Sequence, residues 1–190
     1  MLLLMLGELV GVVCVGLVGS IKGIRAGLGT AVLVAGVTVG WAVERVISSR
    51  PPATEELTWV EGLNLSLRFR SDSLALLMVL LVAGIGVLIF VYAIGYFGPD
   101  AGGAGRFPAS LLAFSGSMLG LVLADSAWTL FIFWELTSIT SFLLVGHKHV
   151  DTSVRIAARR ALMITGAGGL ALLAGLLVLE RASGTSTLTD

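Results

Sequence analysis

The sequence has 190 residues, 56% of them hydrophobic and 13% charged, with a mean hydropathy of +1.00. That lies far outside the range of soluble domains and places the chain among integral membrane proteins. Twelve basic residues balance twelve acidic ones, so no global field draws the chain to nucleic acid or an acidic substrate, and its partners are lipid and other membrane helices.

About 20 mainly apolar residues are needed to cross a bilayer as a helix. Six runs meet that need, at 2–21, 28–47, 73–97, 107–123, 126–146 and 155–179. The first opens Met1-Leu-Leu-Leu-Met-Leu with no basic segment before it, and it is too long for a signal-peptide core, so it should stay as a helix. Cys14 lies inside it and is the only cysteine, which rules out an internal disulfide and leaves a packing role. Short links at 22–27, 98–106, 124–125 and 147–154 carry turn residues and make the helices antiparallel neighbours of one bundle. Small residues four apart at Gly7/Gly11, Gly36/Gly40 and Gly116/Gly120 would let helices approach closely.

The longest connection, 48–72, begins Ser-Ser-Arg-Pro-Pro and ends in a stretch that alternates Leu63, Leu65, Leu67 and Phe69 with Asn64, Ser66, Arg68 and Arg70. That period of two is the mark of a half-buried strand. The expected fold is therefore all-α and membrane-embedded, about six transmembrane helices with a small extramembrane β-hairpin between the second and third. Asp72, or Ser71 before it, stands where a side-chain acceptor would cap the third helix, and Asp125 and Ser126 stand likewise before the fifth. With the N-terminus outside, the inner loops hold Lys22, Arg25, Arg106, Lys148, Arg155, Arg159 and Arg160, against Arg45, Arg50, Arg68, Arg70 and Arg181 outside. This modest bias favours both ends of the chain outside.

Glu135 lies in the middle of the fifth apolar run, in Phe133-Trp-Glu-Leu-Thr-Ser-Ile-Thr-Ser-Phe-Leu-Leu-Val-Gly146. A charge at that depth costs at least about 2.5 kcal/mol, so a chain rarely keeps one unless it pairs, binds an ion or carries a proton. The bland alternative is a protonated packing residue. At 100° per residue Ser138 and Phe142 share the Glu135 face, while Thr137, Thr140 and Ser141 lie around the side. These hydroxyls could relay protons to Glu135 or could bond back to their own helix carbonyls. No basic residue lies at comparable depth; Arg159 and Arg160 sit near the start of the sixth helix. His147 and His149, just after the fifth helix, could gather protons at a pathway mouth or be two ordinary loop histidines. Neither a metal motif nor a nucleotide fingerprint is present, so no cofactor and no soluble-type catalysis is expected.

The Phe133–Gly146 stretch resembles the antiporter-like subunits shared by respiratory complex I and the multisubunit Mrp-type sodium/proton antiporters. The likeness extends through the Trp59–Arg70 segment, Asp72-Ser-Leu, Gly84-Ile-Gly, Met118-Leu-Gly and Ala161-Leu-Met-Ile-Thr. Leu136-Thr-Ser-Ile-Thr-Ser-Phe-Leu-Leu and the neutral run Thr165-Gly-Ala-Gly-Gly169 are more similar to the large Mrp A subunit than to its complex I counterpart. The resemblance implies that Glu135 belongs to a proton or ion path and meets a lysine on a seventh helix, and that the basic position of the sixth helix falls at Arg160. It also implies a longer protein, with 1–190 as its N-terminal membrane part, other membrane subunits, protons and Na+ as partners, and no transport by this stretch alone. A proton-pumping component of complex I or of a membrane-bound hydrogenase is the second possibility, and a scaffold without transport the third. The cell membrane is the expected location.

Overall fold

The computed structural model describes residues 1–60, 65–98, 105–147 and 150–189, with the side chains of residues 59, 60 and 65 left aside. Leu63 and Asn64 of the expected strand, and most of the expected 98–106 link, lie outside the described residues. Among the described residues the chain forms α1 (Leu2–Lys22), α2 (Ile24–Ile47), β1 (Ala53–Val60), β2 (Leu65–Ser71), α3 (Ser73–Tyr96), α4 (Arg106–Val122), α5 (Ala127–Val145) and α6 (Thr152–Ser183). The all-α membrane bundle with one hairpin expected from the sequence is the fold observed. Five of the helices are long and apolar enough to cross a membrane, which makes this a multi-pass membrane protein. The shorter helix, α4, has 17 residues and is the centre of the bundle, in contact with α1, α2, α3 and α5. Protein rather than lipid covers most of its length.

Helix ends differ from the sequence expectation in two places. The link expected at 22–27 shrinks to Gly23, whose φ of +92° turns the chain within one residue while its carbonyl accepts the Ala26 and Gly27 amides at 3.1 and 3.2 Å. That left-handed backbone is open to glycine and strained for other residues. The sixth helix runs 32 residues instead of the expected 155–179. At 1.5 Å per residue it is about 48 Å long, well beyond a hydrocarbon core of about 30 Å. Its extra turns carry charged groups that sit comfortably in water, and Asp151 caps its start by accepting the Ser153 amide at 2.8 Å.

Close approach depends on only some of the small-residue pairs. A Cβ at Gly11 would stand 2.9 Å from Val34 of α2, and one at Gly120 would overlap the Phe133 ring, whereas Gly7, Gly36 and Gly40 face open space. Two apolar clusters result. One gathers Val15, Leu28, Phe90 and Leu112 across α1 to α4; the other gathers Ala42, Phe69, Val79, Leu119 and Leu123 beneath the hairpin.

The hairpin is clamped onto the bundle. β1 and β2 pair antiparallel from Ala53↔Ser71 to Val60↔Leu65, with an irregularity between Thr58 and Val60. The other edge of β2 pairs with the α4–α5 link, through Arg70 N to Leu123 O at 2.8 Å and Asp125 N to Arg68 O at 2.9 Å. The alternation read in the sequence places Phe69 inward, where it is buried and meets Phe133 edge-on at 5.6 Å. Its neighbours Arg68 and Arg70 turn to carboxylates, Arg68 Nε to Asp125 Oδ2 at 3.0 Å and Arg70 Nε to Asp72 Oδ2 at 3.7 Å. The segment after α6 joins the same node: Ala127 N donates to Ser186 O, Leu188 N to Asp125 O, and Thr189 Oγ1 to Asp125 Oδ1 at 2.9 Å. At the start of α1, Glu55 of β1 accepts the Leu2 amide at 2.7 Å and the Met1 amino group at 2.9 Å.

The clamp is testable at two of its ion pairs, Arg68 with Asp125 and the Met1 amino group with Glu55. Asp125 is 1% exposed and Arg68 28%, so Arg68→Ala strands a buried carboxylate; removing one partner of a buried pair costs about 3–5 kcal/mol, and the exposed side of Arg68 puts this case near the lower end. Hydrogen exchange of the β2 amides should speed up accordingly, and unchanged exchange would show that the pair contributes nothing. The Leu2 amide holds the Glu55 carboxyl below its usual range, against opposing desolvation and with lesser help from the Met1 amino group and Arg45. A depressed carboxyl stabilises the fold above its unfolded pKa and loses that contribution as pH falls through its folded value. Protection of the β1 amides, with exchange corrected for its intrinsic pH dependence, should therefore be flat across neutral pH and fall only under acid conditions below the ordinary carboxylate range, and Glu55→Gln should remove that acid-dependent fall.

Candidate functional site: an intramembrane carboxylate at the α5–α6 contact

Helix α5 begins where its sequence allows a cap. Ser126 Oγ accepts the Thr129 amide at 3.2 Å, and Thr129 Oγ1 in turn accepts the Arg68 amide at 2.8 Å, fixing the helix start against β2. Asp125, also expected as a cap, serves the Arg68 and Thr189 node instead, pairing with the guanidinium and accepting the hydroxyl. Asp72 caps α3, accepting the Ala75 amide at 2.8 Å.

Two glycines bring α6 against α5. Gly146 stands beside Ala158, and Gly169 stands beside Trp134 and Glu135; Ala158 and Gly169 are the buried residues of α6. A Cβ at Gly169 would overlap Glu135 Oε1, so the missing side chain is what admits the carboxyl to the contact. Oε1 is buried and has no hydrogen-bond partner among the described residues. No ion pair reaches Glu135 there either.

The hydroxyls around Glu135 are turned elsewhere. Thr137 Oγ1 donates to Trp134 O at 2.7 Å, Ser138 Oγ to Trp134 O at 3.3 Å, and Thr140 Oγ1 to Leu136 O at 2.7 Å. Each bonds back along its own helix, the arrangement that competes with a relay role. Arg160 is exposed on α6, nine residues before Gly169 and so about 14 Å along the axis from the Glu135 level. His147 lies at the far end of α5, with its ring 5.0 Å from Phe107 and 6.0 Å from Phe97. His149 lies outside the described residues. Arg106, Arg155 and Arg159 converge with Phe142 and Leu143 around a recess of about 200 Å³ at this end of the bundle. The structure thus brings together Glu135 and Gly169, and it does not bring Arg160 or His147 to them.

A second intramembrane carboxylate, Glu8, is one that the sequence reading does not single out. It sits six residues into α1, is 5% exposed, and accepts a hydrogen bond from Thr38 Oγ1 of α2 at 2.6 Å. Its signal in the sequence is the same as for Glu135, one acidic residue inside an apolar run.

The helical bundle, clamped by its hairpin, thus holds two intramembrane carboxyls, the buried Glu8 of α1 and the half-buried Glu135 at the α5–α6 contact. Two family profiles match consecutive parts of the chain: the N-terminus of chain 5 of NADH-ubiquinone oxidoreductase (complex I) over 57–107, and the transmembrane part of NADH:quinone oxidoreductase/Mrp antiporters over 124–190. The chain belongs to this antiporter-like family. Among its relatives are a probable K(+)/H(+) antiporter A/B component of Rhizobium meliloti, 45% identical over 129 residues, and the putative antiporter component mnhA2 of Staphylococcus epidermidis, 40% identical over 134 residues. Those alignments cover 68% and 70% of this chain but only 13% and 17% of the relatives. The Mrp complex of Dietzia sp. DQ12-45-1b superposes with a TM-score of 0.77 at 28% identity, over 96% of this chain and 20% of that one. An archaeal membrane-bound sulfane sulfur reductase shares the fold, with a TM-score of 0.78 at 17% identity, over 97% of this chain and 28% of that one.

Proposed function

We propose that this chain is the N-terminal membrane part of the large subunit of an Mrp-type monovalent cation/proton antiporter in the cell membrane, and that Glu135 carries the translocated proton. The observation that carries the reading is the Glu135 carboxyl itself, held at a helix contact by the absence of a side chain at Gly169, with one buried oxygen left without a partner. Such a group accepts either a proton or a countercharge, and alternation between the two is the elementary step of exchange. No countercharge lies beside it among the described residues, so the step needs the rest of the protein together with the other membrane subunits of the complex. The hydroxyls of Ser138 and Thr137 join the path only by releasing their carbonyl bonds, a rotation about one side-chain torsion each. His147, His149 and Arg160 belong to the approach to the site rather than to the site. The Rhizobium relative is named for potassium, so the cation is sodium or potassium.

The chain 5 name of the first matching family favours one other reading, a proton-pumping component of complex I or of a related membrane-bound enzyme. Neighbouring genes separate the two: small antiporter subunits accompany the first, NADH-oxidising or hydrogenase subunits the second.

Glu135→Gln in the full assembly is expected to abolish sodium-driven and potassium-driven proton exchange in everted vesicles while the complex remains assembled; persisting exchange with either cation would contradict the proposal. Gly169→Ala should displace the carboxyl at a modest cost, since the far end of a glutamate can shift; overpacking costs about 1–3 kcal/mol. Exchange should fall sharply with assembly retained, and wild-type exchange in this variant would show that the contact is immaterial.

A further inference from the structure

Glu8 faces a different space from Glu135. A cavity of about 430 Å³ opens between α1, α4, α5 and the hairpin, and its walls include Leu9, Leu67, Phe69, Gly116, Phe133 and Leu136. Volume and apolar lining are those of a site that admits a small apolar molecule. Glu8 is the ionisable group in that lining. Its two oxygens are treated unequally. Thr38 donates to Oε1 at 2.6 Å, while Oε2 is buried and has no partner among the described residues.

Each element packed on Glu8 offers it nothing charged. Helix α2 presents Thr38, and α4 presents Gly116, where an added Cβ would stand 3.5 Å from the Glu8 Cβ and 3.8 Å from Oε2. Elsewhere the cavity is lined by Phe133, Leu136 and Thr140 of α5 and by Leu57, Leu67 and Phe69 of the hairpin, none of them charged. No ion pair to Glu8 occurs among the described residues. Phe133, Leu136 and Thr140 form one stripe of α5, and Glu135 lies off that stripe toward α6. The two carboxyls therefore sit on different sides of α5. An ionised carboxylate with one orphan oxygen in apolar surroundings is costly, and a proton removes the charge.

We propose that Glu8 is a second proton-binding carboxyl of this membrane domain, placed in an apolar cavity that lipid-soluble molecules can enter and separate from the Glu135 contact. Thr38 orients it and stabilises its charged form, and the bare Gly116 leaves room beside the unpartnered oxygen.

The test treats the intact assembly in its own membranes with dicyclohexylcarbodiimide, a lipid-soluble reagent for protonated carboxyl groups. The acid proton passes to a carbodiimide nitrogen as the carboxyl oxygen bonds the central carbon, and the O-acylisourea rearranges to a stable N-acylurea with nothing leaving. The peptide carrying Glu8 should gain the mass of one carbodiimide under mildly acidic conditions and lose that label as the pH is raised. Thr38→Val should extend labelling to higher pH, since the carboxylate loses its donor, an effect that a merely structural glutamate would not show. A wild-type Glu8 that stays unlabelled at every pH, or is labelled independently of pH, overturns the proposal. Labelling is read on this peptide whether or not exchange occurs, so its failure and the failure of the Glu135 reading are seen separately.

Discussion

A carboxyl group inside a membrane bundle has three ways to exist: neutralised by a proton, faced by a cation, or surrounded by hydrogen-bond donors. The described residues of this chain give Glu135 neither an ion pair nor a bond to Oε1, and they give Glu8 a single donor, Thr38. Much of the fold makes room for these groups while satisfying other charges elsewhere. Arg68 and Arg70 turn to Asp125 and Asp72 at the hairpin, and Arg106 of α4 with Arg155 and Arg159 of α6 gather at the opposite end.

The hairpin clamp gives the carboxyls a fixed frame. β2 is paired on one edge by β1 and on the other by the α4–α5 link, and the same link anchors the segment after α6. The start of α5 is thereby tied at two points, through Thr129 to Arg68 and through Ala127 to Ser186. A helix fixed at its start and touching α6 through Gly146 and Gly169 holds Glu135 at a defined height. By contrast α6 buries little beyond Ala158 and Gly169. Its remaining apolar surface is available to lipid or to further membrane helices.

Local patterns carry much of this architecture. The six apolar runs, the period-two stretch ending at Phe69 and the acceptors at Asp72 and Ser126 are all signals that span a few residues, and helices, hairpin and caps stand there. Contacts between residues distant in sequence are not legible in this way. Asp125 resembles a cap because Asp-Ser before a helix often is one, and only Arg68, 57 residues earlier, decides otherwise. Thr38 lies 30 residues from Glu8, so the donor that holds this acid is not legible in the run that carries it. Gly169 is one more small residue in Thr165–Gly169 until the fold sets Glu135 against it. The link at Gly23 differs for another reason: a positive φ can turn a chain in one residue, and no composition signal gives the length of a turn.

Proton transfer through Glu135, as proposed, requires its carboxyl to change protonation state during cation exchange. Infrared difference spectra of the whole assembly, recorded with and without sodium or potassium, test it most directly. A protonated-carboxyl stretching band is expected to disappear when the cation is added and to be missing from the Glu135→Gln variant. Identical difference spectra for wild type and variant, each with the full complex assembled, would contradict it.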